Sequence, residues 1–196
     1  LVAGDFFGFA GGGPTRLGRL NPDGSRDLSF NVGGFGANGG QVSSIALQPD
    51  GKILIAGAFT TYNGVSRNGI ARVNTDGSLD TTFDPGSGCW SWASTVLVQS
   101  NGQIVIGGYF LSYNGVPRPY LARLNTDGSL DTGFLANNAP NYYVYSLAQQ
   151  ADGKLVVGGH FTAIGNVQRP YVARLNIDGS LDTSFAPPPG TPPVVD

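Results

Sequence analysis

The 196-residue sequence contains no glutamate, no methionine, one cysteine, one histidine and two tryptophans. All of its acidic side chains are aspartates. Glutamate is a good helix former, whereas aspartate favours turns. With 31 glycines and 13 prolines beside it, this bias argues against helices. The lone Cys89 rules out an intrachain disulfide and is compatible with an oxidising compartment without requiring one. It has no nucleophile's partner beside it and reads as a small residue in a loop or at a strand start. Net charge is −2 and charged residues are 12% of the chain. That excludes a basic patch for nucleic acid. No run approaches the ~18 apolar residues of a membrane span. A translated chain begins with methionine, and Leu1 opens no signal-peptide pattern. The sequence therefore reads as a processed form or as part of something longer. Yet 40% of residues are apolar, which is not the composition of a disordered chain.

What is present is a repeat. Four phrases carry it: Leu20-Asn21-Pro22-Asp23-Gly24-Ser25, Val73-Asn74-Thr75-Asp76-Gly77-Ser78, Leu124-Asn125-Thr126-Asp127-Gly128-Ser129 and Leu175-Asn176-Ile177-Asp178-Gly179-Ser180. Each leads to a phenylalanine at the same offset: Phe30, Phe83, Phe134 and Phe185. A second phrase recurs as Asp50-Gly51-Lys52, Asn101-Gly102-Gln103 and Asp152-Gly153-Lys154. The spacing of roughly fifty residues suits propeller blades better than most helical solenoids.

Within one copy, 42–48 alternates apolar and polar residues, and Asp50-Gly51 supplies the positive φ of a tight hairpin. Residues 52–57 form a nearly continuous apolar run, as in a strand buried on both faces. A loop with Tyr62-Asn63-Gly64 leads to a third strand over 69–74, and Asp76-Gly77 turns the chain into a short fourth over 79–83. The fold class expected is all-β: a propeller of four-stranded antiparallel blades, about four repeats of ~51 residues. Complete blades fall at 42–83, 95–134 and 144–185, with an incomplete blade over 1–30. Leu1-Val2-Ala3-Gly4-Asp5-Phe6 aligns with Leu54-Ile55-Ala56-Gly57-Ala58-Phe59, so the first copy lacks its first strand.

The phrase Leu-Asn-x-Asp-Gly-Ser-Leu-Asp-Thr-x-Phe, paired with Gln-x-Asp-Gly-Lys-Ile-x-Ile-x-Gly-x-Phe, resembles the bacterial delta-60 repeat. The resemblance covers about residues 1–185. It implies a β-propeller in a large secreted or surface protein, an extracellular or cell-surface location and no enzymatic activity. The first copy departs most, with Phe7-Gly8-Phe9-Ala10-Gly11-Gly12-Gly13 in place of the usual loop.

An active site needs convergent acid, base or nucleophile groups. One histidine and repeated aspartates do not suggest one, and no enzyme is expected. His160 occupies a position held elsewhere by Asp5, Ala58 and Tyr109, and reads as a strand-end surface residue. The pairs Arg19 and Asp27, Arg72 and Asp80, Arg123 and Asp131, Arg174 and Asp182 repeat with the blade. Across an Asp-Gly hairpin they lie diagonally opposed, which allows an ion pair or an aspartate bond to loop amides. The rival is a calcium loop of Asn74, Asp76, Ser78 and Asp80, although a distant bidentate glutamate is missing. No cofactor is otherwise expected. A second arginine set, Arg67, Arg118 and Arg169, precedes the third strands and reads as solvated loop. No N-glycosylation sequon occurs, and Thr191 among prolines is a weak O-glycan candidate.

The loops that lead into the first strands diverge most. Phe35, Trp90, Trp92, Tyr142, Tyr143 and Tyr145 lie there and are expected on one face of a propeller. Three readings stay open for them: capping between blades, a protein interface, or glycan stacking. The tail over 186–196 is proline-rich and ends in Val194 and Val195, at nearly the offset of another first strand. These valines are the candidate assembly strand, closing their own ring or entering a neighbouring molecule. The expected function is a structural or assembly module of an extracellular surface protein or fibre, joined head to tail by strand complementation. The partners are then further copies or other surface proteins. The alternative is a lectin-like or protein-binding module using the aromatic face.

Overall fold

The computed structural model describes residues 1–8, 15–135 and 139–186. Val194 and Val195, and the residues from Phe9 to Gly13 in the first-repeat loop, lie outside the described residues. Among the described residues there is no helix, and so none long and apolar enough to cross a membrane.

The first repeat contributes β1 (Val2–Ala3) and β2 (Leu17–Gly18). The second contributes β3 (Ala37–Asn38), β4 (Val42–Leu47), β5 (Ile53–Gly57), β6 (Thr61–Tyr62), β7 (Val65–Ser66) and β8 (Ile70–Val73). The third holds β9 (Ala93–Val98), β10 (Ile104–Gly108), β11 (Ser112–Tyr113), β12 (Val116–Pro117) and β13 (Leu121–Leu124). The fourth holds β14 (Val144–Gln149), β15 (Leu155–Gly159), β16 (Ala163–Ile164), β17 (Val167–Gln168) and β18 (Val172–Leu175). Three equivalent antiparallel sheets result, β4-β5-β8, β9-β10-β13 and β14-β15-β18, each with the apolar run as its central strand.

The continuous apolar run is explained by how these sheets stack. Successive residues of a strand point to opposite faces. Leu54, Ala56 and Ile70 pack against Ile104, Ile106 and Ala122 of the third repeat. Ile53, Ile55 and Ala71 face the other way, onto Leu17 and Phe30 of the first. Val105 and Leu121 in turn meet Leu155, Val157 and Ala173 of the fourth. A strand covered on both faces has no polar side to show, and β5 and β10 are buried along their whole length.

Two features differ from the expected four-stranded blade. The fourth strand is reduced to single bridges, Val73↔Leu79, Leu124↔Leu130 and Leu175↔Leu181. The cause is the aspartate that follows. Asp80 Oδ1 accepts from both the backbone N–H and the hydroxyl of Thr82, which bends the chain instead of extending it. The second difference is that the Tyr62-Asn63-Gly64 loop, whose Asn-Gly pair reads as a turn, carries two short strands of its own. It closes the small hairpin β6–β7, with φ 48° at Asn63 and 80° at Gly64, the backbone an Asn-Gly turn favours. Asn114 and Gly115 repeat this at β11–β12.

Candidate functional site

Two arrangements recur or converge in the described residues: a polar joint between successive repeats, and an aromatic cluster at the ends of the strands.

The joint is built on the repeated arginine. Arg72 sits in β8, and its Nε donates to Asp80 Oδ2 at 2.6 Å. Its Nη1 reaches out of the repeat and donates to the carbonyl of Thr126 at 2.6 Å, in the turn of the next copy. The guanidinium also lies over the Phe83 ring, 5.0 Å from its centroid. Arg19 does the same with Asp27, the Thr75 carbonyl and Phe30. Arg123 does so with Asp131, the Ile177 carbonyl and Phe134. Arg174 pairs with Asp182 at 2.8 Å and lies over Phe185. A second backbone bond closes each joint. The N–H after the phenylalanine donates to the carbonyl of the next turn aspartate: Asn31 to Asp76, Asp84 to Asp127 and Leu135 to Asp178. The turn glycine fits only because it has no side chain. A Cβ on Gly77 would stand 2.5 Å from Asn31 N, and one on Gly179 2.7 Å from Leu135 N.

The arginine is not the aspartate's only cation. Lys52 Nζ donates to Asp80 at 2.9 Å and Lys154 Nζ to Asp182 at 2.7 Å, while Gln103 fills the same position on Asp131. Sequence reasoning missed this link, although the residues recur in the second turn phrase. Burial pushes the Asp80 carboxyl up, but the bonds from Lys52, Thr82 and Arg72 outweigh it and hold it well below the usual carboxylate range. Asp182 is held low mainly by Lys154, with Ser184 and Arg174. Asp27 is lowered to about 2, chiefly by the Ser29 hydroxyl and N–H and by Arg19. In the calcium-loop candidate, Asp76 Oδ1 accepts from the Ser78 N–H and hydroxyl, and Asn74 Nδ2 donates to Ser78 Oγ.

The aromatic cluster forms where second strands end and first strands begin. The His160 N–H donates to the Tyr143 carbonyl at 2.9 Å, and Tyr109 N–H to the Trp92 carbonyl at 2.7 Å. These bonds hold the side chains at one end of the sheets. Tyr143 is 3.8 Å, centroid to centroid, from both Tyr109 and Tyr142, the latter stacked. Tyr120 lies 5.7 Å from Tyr143, Tyr145 lies 6.2 Å from it, and His160 meets Tyr145 edge-on at 5.0 Å. Tyr109, Tyr142 and Tyr145 remain 46, 43 and 41% exposed. Of the six aromatic candidates, the structure thus gathers Tyr142, Tyr143 and Tyr145. It adds Tyr109, Tyr120 and His160, which the sequence analysis did not place there. Their one signal was that Tyr109 and His160 share a repeat position.

Trp90 and Trp92 lie one joint away. Trp92 Nε1 donates to Ser43 Oγ at 2.7 Å, while Trp90 is exposed beside a depression of about 220 Å³ with Phe59 and Thr60. Phe35, also exposed, lines a separate cleft of about 450 Å³ with Leu28 and Val32. Cys89 is buried in the core between repeats, and burial pushes its thiol up to about 12, a protonated and unreactive state at neutral pH. Arg67, Arg118 and Arg169 each donate to the carbonyl of the preceding residue.

A search of curated proteins finds no match. Among solved structures, a crystal structure of a protein of unknown function from Bacteroides caccae is similar at 14% identity and a TM-score of 0.32, over 83% of this chain and 71% of that one. The sequence matches the family described as "Domain of unknown function (DUF5122) beta-propeller" over residues 1–30, 48–83, 99–134 and 150–185. Each matched block ends on the phenylalanine that packs under the repeated arginine. The chain belongs to the DUF5122 β-propeller family.

Proposed function

We propose that this chain is a non-catalytic structural module of an extracellular surface protein or fibre, in which copies join head to tail by strand complementation. Its repeats are blades set around an axis, and Val194 and Val195 supply the donated strand. One observation carries the reading. The central strands β5, β10 and β15 pair on both edges, whereas β1 pairs only with β2 among the described residues. Its other edge presents backbone donors and acceptors to any incoming strand. The polar side chains support a structural role as well, since the repeated aspartates are engaged within their own repeats. No cofactor is needed. The test is deletion of 187–196, followed by light scattering and electron microscopy. Loss of assembly is expected. A full-length chain that stays monomeric at all concentrations overturns the reading, and assembly that survives deletion removes the tail as donor.

The tyrosine cluster favours a second reading, a lectin-like or protein-binding face. Flat, partly exposed rings with no charge among them suit stacking against a sugar or an apolar partner. A glycan array tests it. Saturable binding that is lost in Tyr142→Ala would support it, and silence would count against a glycan ligand.

A further inference from the structure

The first and fourth repeats carry complementary, uncovered halves of the same joint. On the fourth repeat the uncovered half is the face that would meet a following copy. Val156 is half-buried and Val172 is 37% exposed, whereas their equivalents Leu54 and Ile70, and Val105 and Leu121, are fully buried by the next repeat. Phe185 is half-buried, while Phe30, Phe83 and Phe134 are buried. Among the described residues, Arg174 Nη1 and the Ala186 N–H have no acceptor, although the equivalent groups of every earlier repeat do.

On the first repeat it is the opposite face that stands open. Gly77, Gly128 and Gly179 are buried against the preceding repeat, but Gly24 is exposed and a Cβ there would meet nothing within 4 Å. Leu20 is 36% exposed, whereas its equivalent Val73 is fully buried. The carbonyls of Pro22 and Asp23 correspond to the two that each joint uses. Only backbone oxygens are required at these positions, so Pro22 serves as well as Thr75, Thr126 or Ile177. No hydrogen bond or ion pair between described residues joins the first repeat to the fourth.

We infer that the first repeat of a second copy docks on the fourth repeat through this joint, with Arg174 and the Ala186 N–H donating to the Pro22 and Asp23 carbonyls and Gly24 seated against residue 186. The occupant follows from the molecule itself, because the same interface is formed three times within one chain. Such a contact is heterologous, and it propagates into a filament unless its rotation closes a ring. This rests on the head-to-tail reading above but uses a different surface from the strand edge of β1.

The discriminating variant is Gly24→Asn. Asparagine tolerates the φ of 83° at this position, and its side chain enters open space in the monomer but the backbone of residue 186 in the joint. Circular dichroism and the melting temperature of the isolated chain should not change, while sedimentation velocity should show association lost. Ala186→Pro removes the donor from the other half and should also block growth. Mixed together, the two variants retain one good half each and should form dimers that grow no further. Filaments of Gly24→Asn equal to those of the parent chain overturn the joint, even if deletion of 187–196 abolishes assembly and so upholds the strand donor. Conversely, assembly that needs Gly24 but not 187–196 upholds the joint and removes the strand donor. A parent chain that stays monomeric, and whose melting temperature falls in Gly24→Asn, means the joint closes within one molecule, and it overturns docking of a second copy.

Discussion

At the scale of the residue, the hydroxyls of Tyr62 and Tyr113 act as internal anchors. Each is buried and donates to the carbonyl of its own turn glycine, Tyr62 to Gly77 at 2.8 Å and Tyr113 to Gly128 at 2.7 Å. Burial pushes both phenols above their ordinary value, so both donate at any physiological pH. Removing the hydroxyl leaves a buried carbonyl short of a partner, which costs about 1–2 kcal/mol. Tyr62→Phe and Tyr113→Phe should each lose that much in denaturant unfolding. The fourth repeat has Ile164 at this position, which cannot donate, so Ile164→Val should show only the ~1 kcal/mol cost of a lost methylene. Arg72→Ala should cost more, about 3 kcal/mol, because it strips a buried carboxylate of one of its two cations and the joint of a bond.

At the scale of the element, the small hairpins show how a turn can also connect repeats. In β11–β12, Asn114 has φ 45°, and its Oδ1 accepts from the N–H and hydroxyl of Ser87, on the segment that follows Phe83 of the second repeat. Asn63 Oδ1 likewise accepts from the Gly36 N–H, and its Nδ2 donates to Asn31 Oδ1. Asn114→Ala should cost about 1–2 kcal/mol, through left-handed backbone strain and the lost acceptor. Asn114→Gly should recover the strain but not the bond. Equal stability of the two variants by thermal unfolding would show that the side-chain bond, not the backbone, governs the hairpin.

At the scale of the whole molecule, stability depends on repeats covering one another. The central strands β5 and β10 are covered on both faces and β15 on one, and among the described residues β1 has a single strand partner. Amide exchange should therefore be slowest in β5 and β10 and faster in β1 and β15, as in a quasi-one-dimensional stack. The titrating groups set the pH limits. The joint aspartates Asp27, Asp80, Asp131 and Asp182 all have lowered pKa values in the folded chain. Their stabilisation is complete above the unfolded value of about 3.9 and is lost as pH falls toward the folded values. Cys89, Tyr62 and Tyr113 are raised by burial, so their stabilisation is complete below the unfolded values of about 8.5 and 10 and is lost above them. Melting temperature should stay level from about pH 5 to 8 and fall on both sides. A steep change inside that window would overturn the assignment of the pH limits to these groups.

The repeat, the lack of helix among the described residues and the strand pairs were legible in the sequence because each rests on local chemistry. Asp-Gly and Asn-Gly carry their turn in the two residues themselves, and the run from Ile53 to Ala56 announces burial on both faces by lacking any polar alternation. The Arg72 and Asp80 pair was legible too, since eight residues across one hairpin fix their distance. The shortened fourth strand was not, because the bond from Thr82 to Asp80 competes with extension and neither residue signals which wins. The joint stayed hidden for a stronger reason. Its acceptors are backbone carbonyls, which every residue possesses, so nothing in Thr75, Thr126 or Ile177 marks them as partners of an arginine more than fifty positions away. The tyrosine cluster likewise joins rings from 109 to 145 that only the stacking of two repeats brings within 6.2 Å of one another. Short-range order follows from side-chain identity, whereas the packing of one repeat on the next depends on which backbone atoms the stacking brings into reach.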